Sequence, residues 1–421
     1  MKARRGKPRR MGTLEKAWRW MWRFRLAPAG KVMLVGIMLS GMTCWITLNI
    51  PIYHVFSSLV AAYLTSSLFV MLMRRRLSVR AQMPDRAIAG HEVTATFQLT
   101  NRSRRSAFDL GAGFFQLPPC VRQMDDGPVV PRLGPGESAT LEVRLHPLRR
   151  GLHPLGDAHA YSTFPFNFSR NWPVRCPGQS LLVLPDFQPL ADVDLPVGSR
   201  YQPGGIALTS NVGESPEYIG SRDYRPGDST RRLDFRSWAR LAHPVVREYQ
   251  EEYYCRVGLV LDTFVPGRRK APPGGFEDLE AAVSLTAAAA EALSRGEYII
   301  DLFAAGPELY VFRAGRHTAH FENVLEILAC VEACRDNPFD TVSPALADEL
   351  ESISAVVFVL LDWDATRRRV VRAAAEAGCS ARAIIVRRRP TTEPIDAGGA
   401  WADSIRVLSP EQIRTGALEV L

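Results

Sequence analysis

The sequence predicts a multidomain chain of α/β plus β class, in three successive parts. These are an N-terminal two-helix membrane hairpin, a β-sandwich-like domain, and a C-terminal α/β domain. Residues 32–73 contain no Asp, Glu, Lys or Arg, and residues 77–190 alternate apolar and polar runs between Gly, Pro and Asn turns. From residue 253 onward, strand-like apolar runs alternate with helical segments. A chain of 421 residues is long enough for two or three domains.

The basic charge of the chain is concentrated beside the apolar region. The formal net charge is +8, and residues 1–31 carry eleven Lys or Arg and one Glu. Three more arginines stand at 74–76, which leaves residues 77–421 with a net charge of about −5. The excess positive charge therefore belongs to the membrane flanks, and we expect no binding to nucleic acid.

The uncharged region predicts two transmembrane helices. Val32–Ile50 and Ile52–Met73 each approach the roughly 20 apolar residues that cross a bilayer. Pro51 breaks the helical pattern between them. Arginine-rich flanks on both outer ends predict that both termini are cytoplasmic. The alternative is one membrane helix followed by a buried helix.

The C-terminal part, residues 253–421, predicts a mainly parallel sheet covered on both faces. Strand-like "RVGLVLD", "YIIDLFAA", "ELYVFRAG", "SAVVFVLLD" and "ARAIIVRR" alternate with helices predicted at Phe276–Ser294, near Phe321–Cys334 and in "ATRRRVVRAAAEAGC". Such sheets bind ligands beyond the carboxyl ends of their strands. Asp262 ends the first strand, and Asp362 and Asp364 end a later one.

An arginine-rich segment lies within residues 200–252. Ser221–Arg240, "SRDYRPGDSTRRLDFRSWAR", holds six arginines and three aspartates. Its Pro-Gly pair predicts a tight turn, followed by a short helix through "TRRLDFRSWARL" that is capped by Asp228 or Ser229. In that helix Arg231 and Asp234 are three residues apart, and guanidinium groups can make bidentate bonds to carboxylates.

No enzymatic site is predicted in this segment. Neither a Ser-His-Asp nor a Cys-His arrangement accompanies it, and no "GxxxxGK[ST]" loop occurs in the chain. Its aspartates have arginines within three residues, which depress a carboxylate pKa and disfavour a general acid. The aspartates and the following "REYQEEYY" also offset its positive charge. We therefore expect no catalytic residue and no cofactor.

The same segment fits a structural latch between the two soluble domains. A partly buried Arg–Asp network fixes geometry more than it adds stability. Two versions stay open: a purely intramolecular salt-bridge loop, and a latch that also presents a surface to a partner protein.

The longer segment Gly213–Glu252 reads "GESPEYIGSRDYRPGDSTRRLDFRSWARLAHPVVREYQEE". It resembles the signature of the bacterial membrane-protein family called domain of unknown function 58. The aromatic residue after the aspartate is usually Trp in that family, and here it is Phe. The matching interaction or structural positions are Glu214, Tyr224, Gly227, Asp228, Arg231 or Arg232, Asp234, Phe235, Arg240 and Glu248.

This resemblance implies a C-terminal von Willebrand factor A-like domain with a doubly wound sheet. It also implies a place in the bacterial inner membrane and an association with a MoxR-type AAA+ ATPase and companion membrane proteins. It supplies no reaction. The expected function is a non-enzymatic membrane scaffold or adaptor whose cytoplasmic domain binds proteins.

A metal-dependent function is the main alternative. Metal-binding von Willebrand A domains carry Asp-x-Ser-x-Ser after the first strand, and its oxygens bind Mg²⁺. Here Phe264 and Pro266 replace both serines, so no metal is predicted, and Asp262 and Asp362 are only weak candidates. An envelope-associated hydrolase is the least favoured reading.

Overall fold

The computed structural model describes residues 21–46, 50–72, 76–114, 116–124, 129–194, 218–249, 256–267, 271–296, 298–305, 309–313, 320–350, 352–395 and 404–417. These residues form a mixed α/β structure with several sheets. The chain divides into two compact units. Unit 1 comprises Met1–Asp186, Arg269–Phe276 and Leu325–Cys330, and unit 2 comprises Phe187–Arg268, Glu277–Val324 and Val331–Leu421. The finer division predicted from the sequence stays a prediction.

A π-helix at Met21–Arg25 precedes two apolar helices of unit 1, namely α1 (Pro28–Ile46) and α2 (Ile50–Leu72). They pack antiparallel, with Gly36 against Leu59. Pro51 lies in the first turn of α2, where its missing N–H leaves no helical hydrogen bond unmade. Among the described residues, one helix, Pro51–Leu72, is long and apolar enough to cross a membrane. Crossing by a second helix and the orientation of the termini stay predictions.

The rest of unit 1 is built from β-strands. They are β1 (Leu77–Gln82), β2 (Arg86–Ile88), β3 (Val93–Asn101), β4 (Ala107–Phe114), β5 (Val121–Gln123), β6 (Val130–Leu133), β7 (Ser138–Pro147), β8 (Gly151–Pro154), β9 (Ala158–Ser162), β10 (Asn171–Cys176) and β11 (Ser180–Leu184). Three sheets have the orders β1-β3-β7-β5, β10-β9-β4-β6 and β2-β11-β8. Only the β2–β11 pair is parallel among these described pairings.

One core joins the two four-stranded sheets. Phe97 and Leu141 from the first sheet are buried together with Leu110 and Ala160 from the second. The alternation of apolar and polar residues along β3 places its apolar side chains in this core. The period-two pattern read from the sequence thus has a direct structural cause.

From residue 218 onward, helices and strands alternate. They are β12 (Tyr218–Asp223), α3 (Phe235–Leu241), β13 (Val245–Tyr249), β14 (Arg256–Leu261), α4 (Glu277–Arg295), β15 (Ile299–Ala305), β16 (Leu309–Arg313), α5 (His320–Cys330), α6 (Phe339–Ala347), β17 (Ala355–Leu360), α7 (Ala365–Glu376), β18 (Ser380–Val386), β19 (Ile405–Leu408) and α8 (Pro410–Arg414). Six strands form a sheet of order β16-β15-β14-β17-β18-β19. Its strand pairs are parallel except for β15–β16.

The central strands of this sheet are buried on both faces. Val260 and Phe358 pack with residues of α6 and α7 on one face. Leu259 and Leu261, which alternate with Val260 and so point to the other face, are buried as well. This explains the nearly continuous apolar runs in the sequence. A von Willebrand A-like assignment of the sheet stays a prediction.

One helix prediction in this region needs correction, and one helix was missed. The helix predicted near Phe321–Cys334 ends at Cys330. Cys334 instead forms a β-bridge with Phe264, and its N–H donates to the carbonyl of Thr263 at 2.8 Å. Helix α6, which contains an internal proline, was not predicted.

Candidate functional site

The arginine-rich segment forms a hairpin, residues 218–249, called here the signature hairpin. Strands β12 and β13 pair antiparallel, and a 3₁₀ turn (Thr230–Arg232) and helix α3 lie between them. The N–H of Asp234 donates to the carbonyl of Val245 at 2.8 Å, and the N–H of Tyr224 donates to that of Pro244 at 2.9 Å. The side chains of Val245 and Val246 are buried. The residues that connect β12 to β13 are therefore held against β13 by backbone hydrogen bonds.

A bidentate ion pair holds the Pro-Gly turn of this hairpin. Arg222 donates to both oxygens of Asp228 at 2.8 and 2.9 Å, and the N–H of Arg225 donates to Asp228 Oδ2 at 2.8 Å. These contacts, the Arg222 side chain first, lower the pKa of Asp228 to about 2. Gly227 has φ of 108°, a conformation that favours glycine. The turn was predicted, and this partner of Asp228 was not.

The residue that caps α3 is Asp234, not Asp228 or Ser229 as predicted. Its carboxylate accepts hydrogen bonds from the Ser237 hydroxyl at 2.8 Å and from the N–H groups of Arg236 and Ser237 at 3.2 and 3.3 Å. The Ser237 hydroxyl is the main cause of a lowered pKa of Asp234. Its ion-pair partner is Arg247 of β13, at 3.5 Å, rather than Arg231, which is three residues away in the sequence.

Helix α3 and the 3₁₀ turn expose a surface of basic and aromatic side chains, called here the α3 face. Its apolar residues are Phe235, 66% exposed, Trp238, 37% exposed, and Leu241, 49% exposed. The two rings stack with centroids 6.1 Å apart. Four arginines of the 3₁₀ turn and α3 are exposed as well, and no ion pair joins them to another described residue: Arg231, Arg232, Arg236 and Arg240.

The remaining signature positions are placed as follows. Tyr224 is half-buried beside the turn. Glu248 lies on β13, in register with Gly220 of β12. Glu214 lies outside the described residues. The structure thus brings the predicted residues from Tyr224 onward into one hairpin, of which Arg232 and Arg240 point outward and Asp234 points inward.

The strand-end carboxylates form a second cluster. Asp262, after β14, has no exposed surface, and its oxygens accept from the N–H groups of Phe264 and Leu361, both at 2.9 Å. Arg367 Nε donates to Asp262 Oδ2 at 2.7 Å, and a further guanidinium nitrogen of Arg367 contacts Asp364. Asp364 also caps α7 by accepting from the N–H of Arg367 at 2.9 Å. Sequence reasoning missed Arg367.

Asp362 has a separate set of donors. It accepts from its neighbour Trp363 N–H at 2.7 Å, and from the N–H and hydroxyl of Thr392 at 2.9 and 2.6 Å. The guanidinium of Arg387 also contacts it. Searched over the described residues alone, the chain shows no group of three or more His, Cys, Asp or Glu side chains placed to hold a metal ion. Asp262 and Asp362 each accept from an arginine and from backbone N–H groups, a set of partners that suits a paired carboxylate rather than a metal ligand.

The described residues also bring a cysteine and a histidine together in unit 1. Cys120 Sγ lies 3.3 Å from His153 Nδ1, and His153 Nε2 lies 2.8 Å from the carbonyl of Arg149. Burial raises the pKa of the Cys120 thiol. A nucleophilic cysteine requires a lowered pKa, so Cys120 has the properties of an unreactive structural thiol.

A protein-family model matches the part of the chain that contains nearly all of the signature hairpin and the contact of Asp262 with Arg367. Residues 220–376 match the family model described as "Protein of unknown function DUF58". The chain carries a DUF58 region. This DUF58 region includes α3, Asp262 and Arg367. No curated protein matches the chain.

Solved structures show only distant likeness. Alpha-2-macroglobulin of E. coli in its native conformation is 18% identical over 27% of this chain and 7% of its own, with a TM-score of 0.21. A protein of unknown function from Porphyromonas gingivalis W83 is 19% identical over 28% and 53%, with a TM-score of 0.19. The secreted serine protease VesC from Vibrio cholerae is 14% identical over 31% and 29%, with a TM-score of 0.18. The chain thus spans well under two thirds of each, and these likenesses carry no argument about function.

Proposed function

We propose that this protein is a non-enzymatic scaffold or adaptor of the bacterial inner membrane whose von Willebrand A-like domain binds other proteins. Two membrane helices would anchor it, with both termini in the cytoplasm. The observation that carries the proposal is the α3 face, which exposes a stacked Phe235–Trp238 pair together with four arginines.

The composition of the α3 face favours a protein partner with an acidic segment. Aromatic residues and arginine are the side chains most enriched at the energetic centres of protein interfaces. A guanidinium makes two parallel hydrogen bonds to one carboxylate, so Arg236 and Arg240 suit aspartate or glutamate side chains. Trp238 and Phe235 supply apolar anchors on the same segment.

The α3 face is held in place by contacts that do not involve its exposed side chains. Asp234 fixes the start of α3, and Arg222 with Asp228 fixes the preceding turn. Such preorganisation lowers the entropic cost of binding a partner. The membership of the region in the DUF58 family suggests the partner: a MoxR-type AAA+ ATPase, together with companion membrane proteins.

The test measures the affinity of the full chain in detergent for the purified MoxR-type ATPase encoded in the same genome. Replacing Arg232, Arg236 and Arg240 together by Ser is expected to weaken binding at least tenfold, a loss of about 1.4 kcal/mol. Arg369→Ser/Arg372→Ser, which alters two exposed arginines of α7, is the matched control and is expected to bind like the wild type.

Two outcomes would contradict the proposal. One is equal affinity of the triple variant and the control. The other is a triple variant that keeps its affinity for the ATPase and loses only binding to vesicles of anionic lipid, since basic and aromatic side chains also suit a membrane surface. The metal-dependent alternative gains no support from the contacts of Asp262 and Asp362, and the hydrolase alternative gains none from the half-buried Cys120, whose thiol pKa is raised.

A further inference from the structure

A side-chain cation occupies the carboxylate that a divalent ion would need. Asp262 is fully buried at the carboxyl end of β14, and two backbone N–H groups and Arg367 Nε all donate to it. A hard cation binds through the lone pairs of carboxylate oxygens. Oδ2 accepts from Arg367 Nε at 2.7 Å and from Leu361 N–H, so it has no lone pair left for an ion, and Oδ1 shares its two lone pairs with Phe264 N–H.

The side chain of Arg367 is enclosed by aromatic rings and carboxylates, as a bound cation would be. Its side chain is 4% exposed, and its guanidinium carbon lies 5.7 Å from the ring centroids of Phe264 and Phe339. These distances are within the range of cation–π attraction. The carboxylates of Asp262 and Asp364 flank the guanidinium. A buried charge persists only with such compensation.

We infer that Arg367 is a built-in cation that takes the place of a metal ion at the carboxyl end of β14, so that the DUF58 region folds and works without divalent metal. Asp362 follows the same pattern, because the guanidinium of Arg387 contacts it. The two carboxylates that sequence reasoning offered to a metal are thus each paired with an arginine. This inference rests on these contacts alone and is independent of the partner proposed above.

The first test uses the full-length wild-type protein in detergent. Its Tm and its heats on titration with MgCl₂ are measured after treatment with EDTA. The expected result is one Tm with and without millimolar Mg²⁺, and no saturable heat. A Tm that rises with the Mg²⁺ concentration would overturn the inference, because a ligand that binds the folded state must raise it.

The second test removes the cation. Arg367→Ala is expected to lower the Tm well below that of Arg369→Ala, which removes an exposed arginine from the same helix. Millimolar methylguanidinium is expected to raise the Tm of Arg367→Ala with increasing concentration, by re-pairing Asp262, and to leave Arg369→Ala unchanged. An Arg367→Ala protein that is folded and gains nothing from methylguanidinium would contradict the inference.

A double variant keeps the test decisive if Arg367→Ala does not fold. Asp262→Asn/Arg367→Met removes both charges, and replacing a whole buried pair is tolerated better than removing one partner. The double variant is therefore expected to yield folded protein with a Tm above that of Arg367→Ala. If the double variant folds no better than Arg367→Ala, Arg367 does not act by neutralising Asp262.

Discussion

Arg222 and Asp228 form a two-point ion pair across the Pro-Gly turn, with one guanidinium nitrogen on each carboxylate oxygen at 2.8 and 2.9 Å. The pair joins β12 to the turn that leads into α3. Because both partners lie six residues apart on one hairpin, it is a local contact that sets the approach to the α3 face. Its consequences can be measured on Asp228 itself.

The first prediction concerns the titration of Asp228. Its pKa in the folded protein is about 2, below the ordinary value of 3.8. The ion pair therefore stabilises the folded hairpin fully above about pH 4, and this contribution is lost as the pH falls towards 2. Carboxyl ¹³C NMR of the full chain with labelled aspartate measures this pKa directly.

The partner of Asp228 is tested with two arginine variants. Arg222→Gln is expected to return the pKa of Asp228 towards 3.8, because the Arg222 side chain is the largest cause of the shift. Arg225→Gln is the control: Arg225 acts mainly through its backbone N–H, which the substitution keeps, so the pKa is expected to stay low. Equal shifts in the two variants would refute the ion pair.

The second prediction concerns the cap of α3. Asp234→Ala removes the acceptor of three hydrogen bonds at the start of the helix, so α3 is expected to fray. Trypsin then cleaves after Arg236 and Arg240 severalfold faster than in the wild type. Asp223→Ala, an exposed aspartate of the same hairpin that contacts His243, is expected to leave cleavage in α3 unchanged. Equal cleavage of the two variants would show that Asp234 does not hold α3.

The first residue of α3 could not be predicted from the local sequence. The run "TRRLDFRSWARL" suits one continuous helix, and the helix was predicted about one turn too early. Leu233 forms a β-bridge with Val246, which pulls the chain into an extended conformation before the helix begins. Asp234 is then the first residue with a side chain free to cap. The start of α3 is therefore set by a contact with a residue 13 positions later in the chain, and a local sequence pattern does not reveal such a contact.

The burial of Arg367 could have been predicted from the spacing of apolar residues in the sequence. In α7 the buried positions are 367, 370, 371 and 374, which is the spacing of one helix face. Arg367 therefore stands on the apolar stripe among three successive arginines, where a charge needs a partner. The sequence alone did not say that the partner is Asp262, because only the pairing of β14 with β17 brings α7 next to it.

The third prediction concerns the start of α1. Ala27 N–H donates to the carbonyl of Phe168 at 3.1 Å, and a Cβ on Gly30 would lie 1.9 Å from that same oxygen. Gly30→Ala is therefore expected to destabilise unit 1 by about 1–3 kcal/mol, the usual cost of forcing extra atoms into a packed site. Chemical unfolding in detergent measures it.

A second glycine of α1 is the control for Gly30. A Cβ on Gly36 would meet Leu59 at 3.6 Å, an ordinary contact, so Gly36→Ala is expected to be neutral or mildly stabilising in the helix interior. Equal stability of Gly30→Ala and Gly36→Ala would mean that α1 does not start against Phe168.

The proposed function requires the α3 face to bind an acidic segment of the ATPase. The most direct measurement places a photo-crosslinking amino acid at Trp238 of the full chain in membranes, with the same amino acid at the exposed Val407 of β19 as the control. The account predicts that Trp238 crosslinks to the MoxR-type ATPase, at an acidic peptide identified by mass spectrometry, and that Val407 does not. Crosslinking from Trp238 to lipid alone, or to the ATPase no more than from Val407, would contradict it.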